Sequence, residues 1–283
     1  MLYLLYRVGR RFALLLPIGA CYAMAVFMAD VYYLFARRDK IDLEYNLRVV
    51  LGNDDKKLIQ KHVRGIFRNF AKYLADFFRF AKLDRDYIMS HITVEGKENV
   101  DKALSKGKGA LLVAAHMGNW ELGGAVVASL GYPLYAIVLG HKDKKINSFF
   151  LEQRTIADMK IIPVGAQLRN CFRILRQNNL IAIVGDRNFS NHGVMANFFN
   201  REAVLPRGPA FFSLKTGAPI ILTLMIRTKG DNFKLIFEKP IESVPQKTDE
   251  AGIKSVMQRY VPLLEKYIKA YPDQWYAFRR VWQ

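Results

Sequence analysis

The sequence is poor in cysteine and in acidic residues, and each shortage narrows the class of protein. Its 283 residues include two cysteines, Cys21 and Cys171, which lie far apart. They offer neither a disulfide framework nor the spacing of a metal site, and a reducing compartment is the simpler interpretation. Lys and Arg number 43 against 25 Asp and Glu, so the formal net charge is +18. This excess predicts attraction to an acidic partner such as nucleic acid, anionic lipid headgroups or an acidic carrier protein.

Several common catalytic motifs are also missing from the sequence. It contains no Gly-x-Ser-x-Gly elbow, which argues against a serine hydrolase, and no P-loop or Gly-x-Gly-x-x-Gly fingerprint. Its His-x4-Glu stretch lacks the second histidine of the common zinc motif, so we expect no metal site. The sequence also has no internal repeat, and a hydrophobic content of 51% is sufficient for one large folded domain.

The first forty residues contain the longest apolar run. Residues 12–29 carry no charged side chain and would span about 27 Å as a helix, close to the hydrocarbon thickness of a bilayer. Basic residues flank this run, and tyrosines could lie at headgroup level. We predict that residues 1–40 form a membrane anchor and that residues 41–283 form the folded domain. Pro17 and Asp30 leave open a helix that lies in the interface instead.

Two further interpretations of this segment are a cleaved secretory signal peptide and a lipoprotein signal ending at Cys21. The apolar run continues to Phe35, where a mature lipoprotein would normally turn polar. A retained anchor is therefore favoured. Because both ends carry basic residues, charge does not fix its orientation.

Helical and strand patterns follow one another along the rest of the chain. Residues 41–83 have apolar residues at helical spacing with a basic opposite side, which fits either a core-packing helix or a helix against an anionic membrane. Predicted strands then cover residues 92–95, 110–115, 134–139, 161–164, 180–184, 220–227 and 233–237, and predicted helices lie between or after them at 100–105, 120–130, 145–159, 168–176, 210–215 and 253–271. This alternation predicts an α/β fold: a largely parallel central sheet with helices on both faces.

The most informative stretch runs from residue 109 to residue 123. A buried strand ends at His116, Asn119 is the expected N-cap of the next helix, and Glu121 lies in its first turn. This arrangement places His116 and Glu121 at the carboxyl edge of the sheet, where open α/β folds bind ligands. A carboxylate there can accept a hydrogen bond from one imidazole nitrogen and leave the other as a base. We predict a catalytic pair, with a structural histidine as the alternative.

Other polar residues also follow predicted strands or precede predicted helices. His141 is the main rival to His116, but the charged residues after it are typical of an exposed turn. Asp186 and Arg187 end another strand, and Arg207 precedes a helix where backbone amides and a guanidinium could bind an anion. A structural Asp–Arg pair and a plain turn are the alternatives. The remaining histidines, predicted to be solvated, structural or in a loop, are His62, His91 and His192.

Taken together, these blocks resemble the late acyltransferases of lipid A biosynthesis, which transfer lauroyl or myristoyl chains in bacterial lipopolysaccharide synthesis. That family belongs to the lysophospholipid-acyltransferase-like superfamily. The resemblance covers nearly the whole chain: the anchor, the family's His-x4-Asp/Glu signature at residues 116–121, Arg154, Gly185-Asp186-Arg187, residues 193–199, residues 206–210 and residues 271–275. One such block would be weak evidence for a resemblance, but this many blocks in the same order identify the family.

The resemblance implies transfer of a fatty acyl chain from a thioester, on acyl carrier protein or coenzyme A, to a hydroxyl of a lipid A precursor. His116 would remove the proton of that hydroxyl, Glu121 would orient the imidazole, and backbone amides near Gly118 or Arg154 would stabilise the oxyanion. The expected substrate-binding residues are Asn119, Arg154, Asp186, Arg187 and Arg207. No cofactor or metal is expected beyond the thioester co-substrate.

The family resemblance also implies a location and partners. We expect a protein of the bacterial inner membrane with its catalytic domain on the cytoplasmic side, a membrane lipid as acceptor, and no nucleic acid as partner. One alternative is acylation of another glycolipid or lysophospholipid, such as a phosphatidylinositol mannoside or a glycerolipid, from acyl-CoA. Asn188 and Asn200 depart from the family pattern and bear on this choice. The other alternative is a non-catalytic, basic, membrane-attached binding protein.

Overall fold

The computed structural model describes residues 2–188, 193–243 and 247–282, so His192 lies outside the described residues. The chain begins with four helices, α1 Leu2–Leu15, α2 Ile18–Phe35, α3 Arg37–Leu51 and α4 Lys56–Phe78. Pro17 lies between the first two, because proline cannot continue a helix that precedes it. Gly52 ends α3 in the left-handed conformation, and the Asp55 carboxylate caps α4 by accepting two backbone N–H groups.

Strands and helices follow along the rest of the described chain. The elements are α5 Arg85–His91, β1 Ile92–Glu95, α6 Lys97–Leu104, β2 Ala110–Ala114, α7 Trp120–Ser129, β3 Leu134–Val138, α8 Lys144–Ile156, β4 Lys160–Pro163, α9 Asn170–Arg176, β5 Leu180–Val184, β6 Gly193–Phe198, β7 Arg201–Pro206, α10 Gly208–Thr216, β8 Ile220–Arg227, β9 Phe233–Phe237 and α11 Glu250–Ala270. Each strand and helix predicted between residues 92 and 271 is present, with ends shifted by a few residues.

The sequence did not predict α5 or the β6–β7 hairpin. The two-residue turn of this hairpin consists of Phe199 and Asn200, both with positive φ. Tight hairpin turns need this conformation, and glycine usually supplies it. Because neither turn residue is glycine, the usual hairpin signal is missing from the sequence.

Seven strands form one sheet in the order β1-β9-β8-β2-β5-β3-β4, and the five from β8 to β4 are mutually parallel. β9 runs antiparallel to β8, and β1 is parallel to β9. Successive residues of β2 point to opposite faces: Leu111 joins the core that includes α9, α10 and α11, whereas Leu112 joins the core that includes α6, α7 and α8. A largely parallel sheet with helices on both faces is therefore confirmed.

The N-terminal helices pack on the outside of this domain. Within the described residues, α2 alone is long and apolar enough to cross a membrane, and only 17% of it is buried. Its charged residue, Asp30, is ion-paired with Arg64 and Arg68 of α4 at 3.0 and 2.6 Å. The apolar side of α4 is buried, so α4 is a core-packing helix. Arginines of its basic side form the ion pairs with α2. The division of the chain at residue 40 stays a prediction.

Candidate active site

The ends of β2 and β5 bring a histidine and a carboxylate together. These neighbouring parallel strands pair Ala114 with Val184, so His116 and Asp186, each two residues further on, reach the same level of the sheet edge. Nδ1 of His116 lies 2.7 Å from Oδ1 of Asp186. The imidazole is 19% exposed and the carboxylate is fully buried. An accessible imidazole held by a buried carboxylate is the arrangement of a general base and its orienting acid.

Three groups keep the buried Asp186 carboxylate charged. The Trp275 indole donates a hydrogen bond to Oδ2 at 2.9 Å, and Nε of Arg187 lies 3.7 Å from the same oxygen. Burial alone would raise the pKa of Asp186, but the charge and hydrogen bond of His116, together with Arg187 and Trp275, hold that pKa well below its usual value. Asp186 is therefore ionised at neutral pH and can stabilise a protonated imidazole.

The structure corrects the predicted pairing of Glu121 with the imidazole. The carboxylate at Nδ1 is that of Asp186, while Glu121 is ion-paired with Arg154 of α8, with 2.9 Å between Oε2 and Nε. Both side chains of this second pair are about nine-tenths buried. The reason is geometric: Glu121 lies on α7, which packs beside α8, whereas Asp186 lies on the strand adjacent to His116. The catalytic roles of His116 and Glu121 remain predictions.

The loop between β2 and α7 is held by two distant segments. The Gly118 N–H donates to the carbonyl of Gln274 at 2.9 Å, and the Asn119 N–H donates to that of Met225 at 2.8 Å. Gly118 has a φ of +58°, and a Cβ there would lie 1.9 Å from the Met225 carbonyl oxygen, so only glycine fits. The Gly118 amide is already bonded to Gln274, and the oxyanion donor expected near Gly118 or Arg154 stays a prediction.

The C-terminal segment closes over the same loop. The Tyr276 N–H donates to the carbonyl of His116 at 2.9 Å, and its hydroxyl donates to the carbonyl of Gly118 at 2.9 Å. Together with Gln274 and Trp275, Tyr276 fixes the position of the histidine. Sequence reasoning found the C-terminal block only through the family resemblance and assigned it no role, because nothing local to residues 271–276 indicates what they contact.

Asn119 has the structural position that the sequence predicts. Its Oδ1 accepts the Leu122 N–H at 3.1 Å, which confirms it as the N-cap of α7. Its Nδ2 donates to Asp76 of α4 at 2.8 Å. The side chain is 1% exposed and both its polar atoms are bonded. This burial argues against the substrate contact that the resemblance implies.

Two arginines expected to bind anions lie along the same edge. Arg187 follows Asp186, its side chain is 17% exposed, and burial lowers its pKa. Arg207 precedes α10, and its guanidinium lies 5.4 Å from the ring centroid of Phe211. A Cβ built on Gly185 would lie 3.8 Å from Cγ of Pro209, so α10 begins beside the end of β5. Arg207, two residues before Pro209, therefore lies near the carboxyl end of β5, and its guanidinium donates to the carbonyl of Thr248 at 3.4 Å.

His141, the rival histidine, lies at the end of β3. It is exposed, and its ring centroid is 4.5 Å from that of Phe150. Burial and, to a lesser extent, Arg154 lower its pKa, while Glu121 opposes the shift. Across residues 2–188, 193–243 and 247–282, no carboxylate is hydrogen-bonded to this imidazole, and no group of three His, Cys, Asp or Glu side chains is arranged to hold a metal ion.

Comparison with known proteins gives the family of the chain. The family model for bacterial lipid A biosynthesis acyltransferases matches residues 1–283. A phosphatidylinositol mannoside acyltransferase of Mycolicibacterium smegmatis is 23% identical over 281 residues, which cover 98% of this chain and 90% of that protein. A lipid A biosynthesis palmitoleoyltransferase of Escherichia coli is 26% identical over 191 residues, which cover 66% and 60% of the two proteins.

Among solved structures, a 1-acyl-sn-glycerophosphate acyltransferase of Thermotoga maritima matches with a TM-score of 0.40 and 16% identity, covering 87% of this chain and 97% of that one. The assignment depends on the family match, which spans every residue of the chain. The chain therefore belongs to the bacterial lipid A biosynthesis acyltransferase family and is an O-acyltransferase.

Proposed function

We propose that this enzyme transfers a fatty acyl group from a thioester to a hydroxyl of a membrane glycolipid, with His116 as the general base and Asp186 as the residue that orients it. The observation that carries the proposal is the 2.7 Å hydrogen bond between Nδ1 of His116 and the buried Asp186 at the carboxyl edge of β2 and β5. When Nδ1 donates to Asp186, Nε2 has the lone pair that a base needs. No protein nucleophile is required for direct attack.

The first step forms the new ester bond. The acceptor hydroxyl oxygen attacks the thioester carbonyl carbon while its proton passes to Nε2 of His116. The carbonyl electron pair moves to oxygen and gives a tetrahedral oxyanion. The charged Asp186 stabilises the imidazolium formed in this step, as a buried carboxylate does in other base–carboxylate pairs.

The second step expels the thiol. The oxyanion reforms its carbonyl, the carbon–sulfur bond breaks, and the imidazolium returns its proton to the leaving sulfur. His116 thus ends neutral, and the products are an ester and a free thiol. General base catalysis of this kind contributes roughly 10²–10⁴ to the rate.

Arginines in and beside the site are the proposed partners of substrate anions. Arg187 and Arg207 are our candidates for phosphates of the acceptor, because guanidinium groups bind phosphate through paired hydrogen bonds. Glu121 holds the Arg154 guanidinium on α8. We propose that this pair shapes the substrate site, and that Glu121 affects the chemistry through Arg154.

A lipid A precursor with an acyl carrier protein donor is the first candidate pair of substrates. The net charge of +18 favours both a phosphorylated lipid and an acidic carrier protein. We place the enzyme at the bacterial inner membrane with its catalytic domain on the cytoplasmic side, as an expectation carried over from the family. The length and composition of α2 support membrane attachment.

A phosphatidylinositol mannoside with an acyl-CoA donor is the second candidate pair. The relative from M. smegmatis that is named for this acceptor aligns with 98% of this chain, whereas the E. coli relative named for lipid A aligns with 66%. Both acceptors present sugar hydroxyls near phosphate, so the proposed base and arginines would serve either.

A two-by-two assay tests the proposal. The purified full chain is incubated with acyl carrier protein or coenzyme A thioesters and with a lipid A precursor or a phosphatidylinositol mannoside, and products are identified by mass spectrometry. We expect an acylated glycolipid from at least one pair, and none from the His116→Ala variant. A lysophospholipid acceptor is tested in parallel, and acylation of that acceptor alone would contradict the glycolipid assignment. Salt-dependent RNA binding without any acyl transfer would favour the non-catalytic alternative.

A further inference from the structure

A buried polar cluster lies between the apolar helix α2 and the active site. Asp76 of α4 is 6% exposed, and its carboxylate accepts hydrogen bonds from three different elements. The donors are the Tyr22 hydroxyl of α2, the Asn119 side chain at 2.8 Å, and the guanidinium of Arg227 on β8. Burying a carboxylate is costly unless it is paired and hydrogen-bonded, so its position depends on all three donors.

Two of these donors support the loop that carries His116. Asn119 caps α7, and its own N–H bonds the carbonyl of Met225. Arg227 exchanges backbone hydrogen bonds with the Gln274 side chain, at 2.9 and 2.8 Å, and the Gln274 carbonyl holds the Gly118 N–H. Asp76 therefore contacts Asn119 directly and is connected to Gln274 through Arg227.

The third donor comes from the helix that is suited to a membrane. Tyr22 is 6% exposed in a helix that is otherwise largely exposed, and its ring lies under the guanidinium of Arg227, 5.0 Å from the centroid. Its hydroxyl reaches the same carboxylate that holds Asn119. When α2 moves away from α4, the carboxylate loses a donor and Arg227 loses its aromatic contact.

We propose that Asp76 is a positioning residue that couples the docking of α2 on α4 to the geometry of the loop 116–119. This inference rests on the acyl transfer proposed above. It adds that the packing of α2 on α4 changes the kcat of that reaction. Asp76 acts through Asn119 and Gln274 and touches neither substrate nor the reacting atoms.

Two matched variants of α2 test the coupling. Tyr22→Phe removes one hydroxyl from Asp76, and Tyr32→Phe removes one hydroxyl from the same helix, where it bonds the surface residue Asp39 at 2.9 Å. Each full-length variant is assayed with the acceptor in phospholipid vesicles and with the acceptor in detergent micelles. We expect Tyr22→Phe to lower kcat about 5-fold in both media with little change in KM, the size of effect typical of one lost buried hydrogen bond, and Tyr32→Phe to leave both constants unchanged.

A loss by Tyr22→Phe in vesicles but not in micelles would assign Tyr22 to anchoring and overturn the coupling. The double variant Tyr22→Phe/Asp76→Asn supplies a second criterion. If the effect travels through Asp76, the double variant loses no more activity than Asp76→Asn alone, whereas multiplied losses would contradict the route.

Hydrogen exchange separates this inference from the proposed function. In Tyr22→Phe, but not in Tyr32→Phe, we expect the amides of Gly118 and Asn119 to exchange about 5-fold faster, because the bonds that protect them are loosened. Unchanged protection would overturn the coupling even in an active enzyme. A wild-type protein that acylates no acceptor would refute the proposed function, while the exchange data would still decide whether α2 and the loop are coupled.

Discussion

Two parallel strands of the same sheet, β2 and β3, are each followed by a histidine, and the two histidines differ in what surrounds them. His116 follows β2, where the adjacent strand supplies Asp186 and the C-terminal segment closes over the loop. His141 follows β3, where the ring is exposed beside Phe150 and a charged turn follows. His116 therefore has a buried carboxylate and a closing segment around it, and this difference is the basis for proposing His116, and not His141, as the base.

The two regions also separate two buried carboxylates. Asp186 bonds His116 and the Trp275 indole, whereas Glu121 bonds Arg154 of α8, the helix that connects β3 to β4. In the proposed mechanism, Asp186 stabilises the positive charge that appears on His116 during the reaction. Glu121 neutralises a guanidinium that is charged throughout. We expect the two to respond differently to neutral replacements.

Removal of each histidine is the strongest test of the comparison. His116→Ala should lower kcat by about 10³-fold or more, since it removes the proposed base. His141→Ala should leave kcat essentially unchanged, because no carboxylate of the described residues is hydrogen-bonded to that imidazole. Steady-state rates of acyl transfer, with circular dichroism as a folding control, measure both. Equal losses in the two variants would break the distinction between the regions.

Neutral replacement of each carboxylate should give the next largest effect. Asp186→Asn should lower kcat by roughly 10²–10⁴-fold with KM little changed, because the imidazole loses its orientation and its counter-charge. Glu121→Gln should act mainly on the acceptor KM, because it releases Arg154. Full kinetic profiles at varied acceptor concentration separate the two. If Glu121→Gln lowered kcat and Asp186→Asn changed mainly the acceptor KM, Glu121 would be the orienting residue instead.

The indole that holds Asp186 should contribute a smaller effect. Trp275→Phe removes a buried hydrogen bond to the carboxylate, and we expect kcat to fall about 5- to 10-fold, equivalent to roughly 1–1.5 kcal/mol. Trp282→Phe is the matched control, because this second buried indole donates to the carbonyl of Phe198 at 2.9 Å. Both variants should lose similar thermal stability. A similar fall in kcat for Trp282→Phe would show that packing alone explains the loss.

The pH dependence of stability should give the smallest effect. The pKa of Asp186 is lower in the folded chain than in the unfolded chain, so its ionised form stabilises the fold above about pH 4 and this contribution disappears as the pH falls below that value. The difference in Tm between the wild type and Asp186→Asn should therefore shrink between about pH 6 and pH 3. A constant difference across this range would show that the Asp186 pKa is not depressed.

Much of the fold could be predicted because its signals are local. The apolar run 110–115 contains β2, and Asn119 caps α7, because strand burial and N-cap chemistry are fixed by neighbouring residues. The β6–β7 hairpin could not be predicted, because Phe199 and Asn200 adopt positive φ without the glycine that usually marks such a turn. The hairpin forms its own two-stranded sheet, and Phe198 and Leu205 pack from it into the core of the domain.

The site was predicted in part. His116 and Asp186 were both expected at strand ends, yet the sequence could not show that β2 and β5 are neighbours. Once these strands pair in register, His116 and Asp186, each two positions past the pair Ala114–Val184, lie next to each other. Glu121, five residues after His116 along the chain, does not reach the imidazole. Trp275 and Asp76, at large separations in sequence, have no local signal that connects them to His116.

By itself, the sequence determined the apolar N-terminal helix and the strand end that carries His116, because each depends on residue type and spacing along one segment. The α/β class followed from the alternation of such segments, and the family from the resemblance of many short blocks in the same order along the chain. The tertiary structure decided which carboxylate holds that histidine, what closes over it, and how α2 reaches the loop. Those contacts join residues 43 to 160 positions apart, such as Asn119 with Asp76 and His116 with Tyr276. Strand order and helix packing bring such residues together, and neither can be deduced from the order of residues alone.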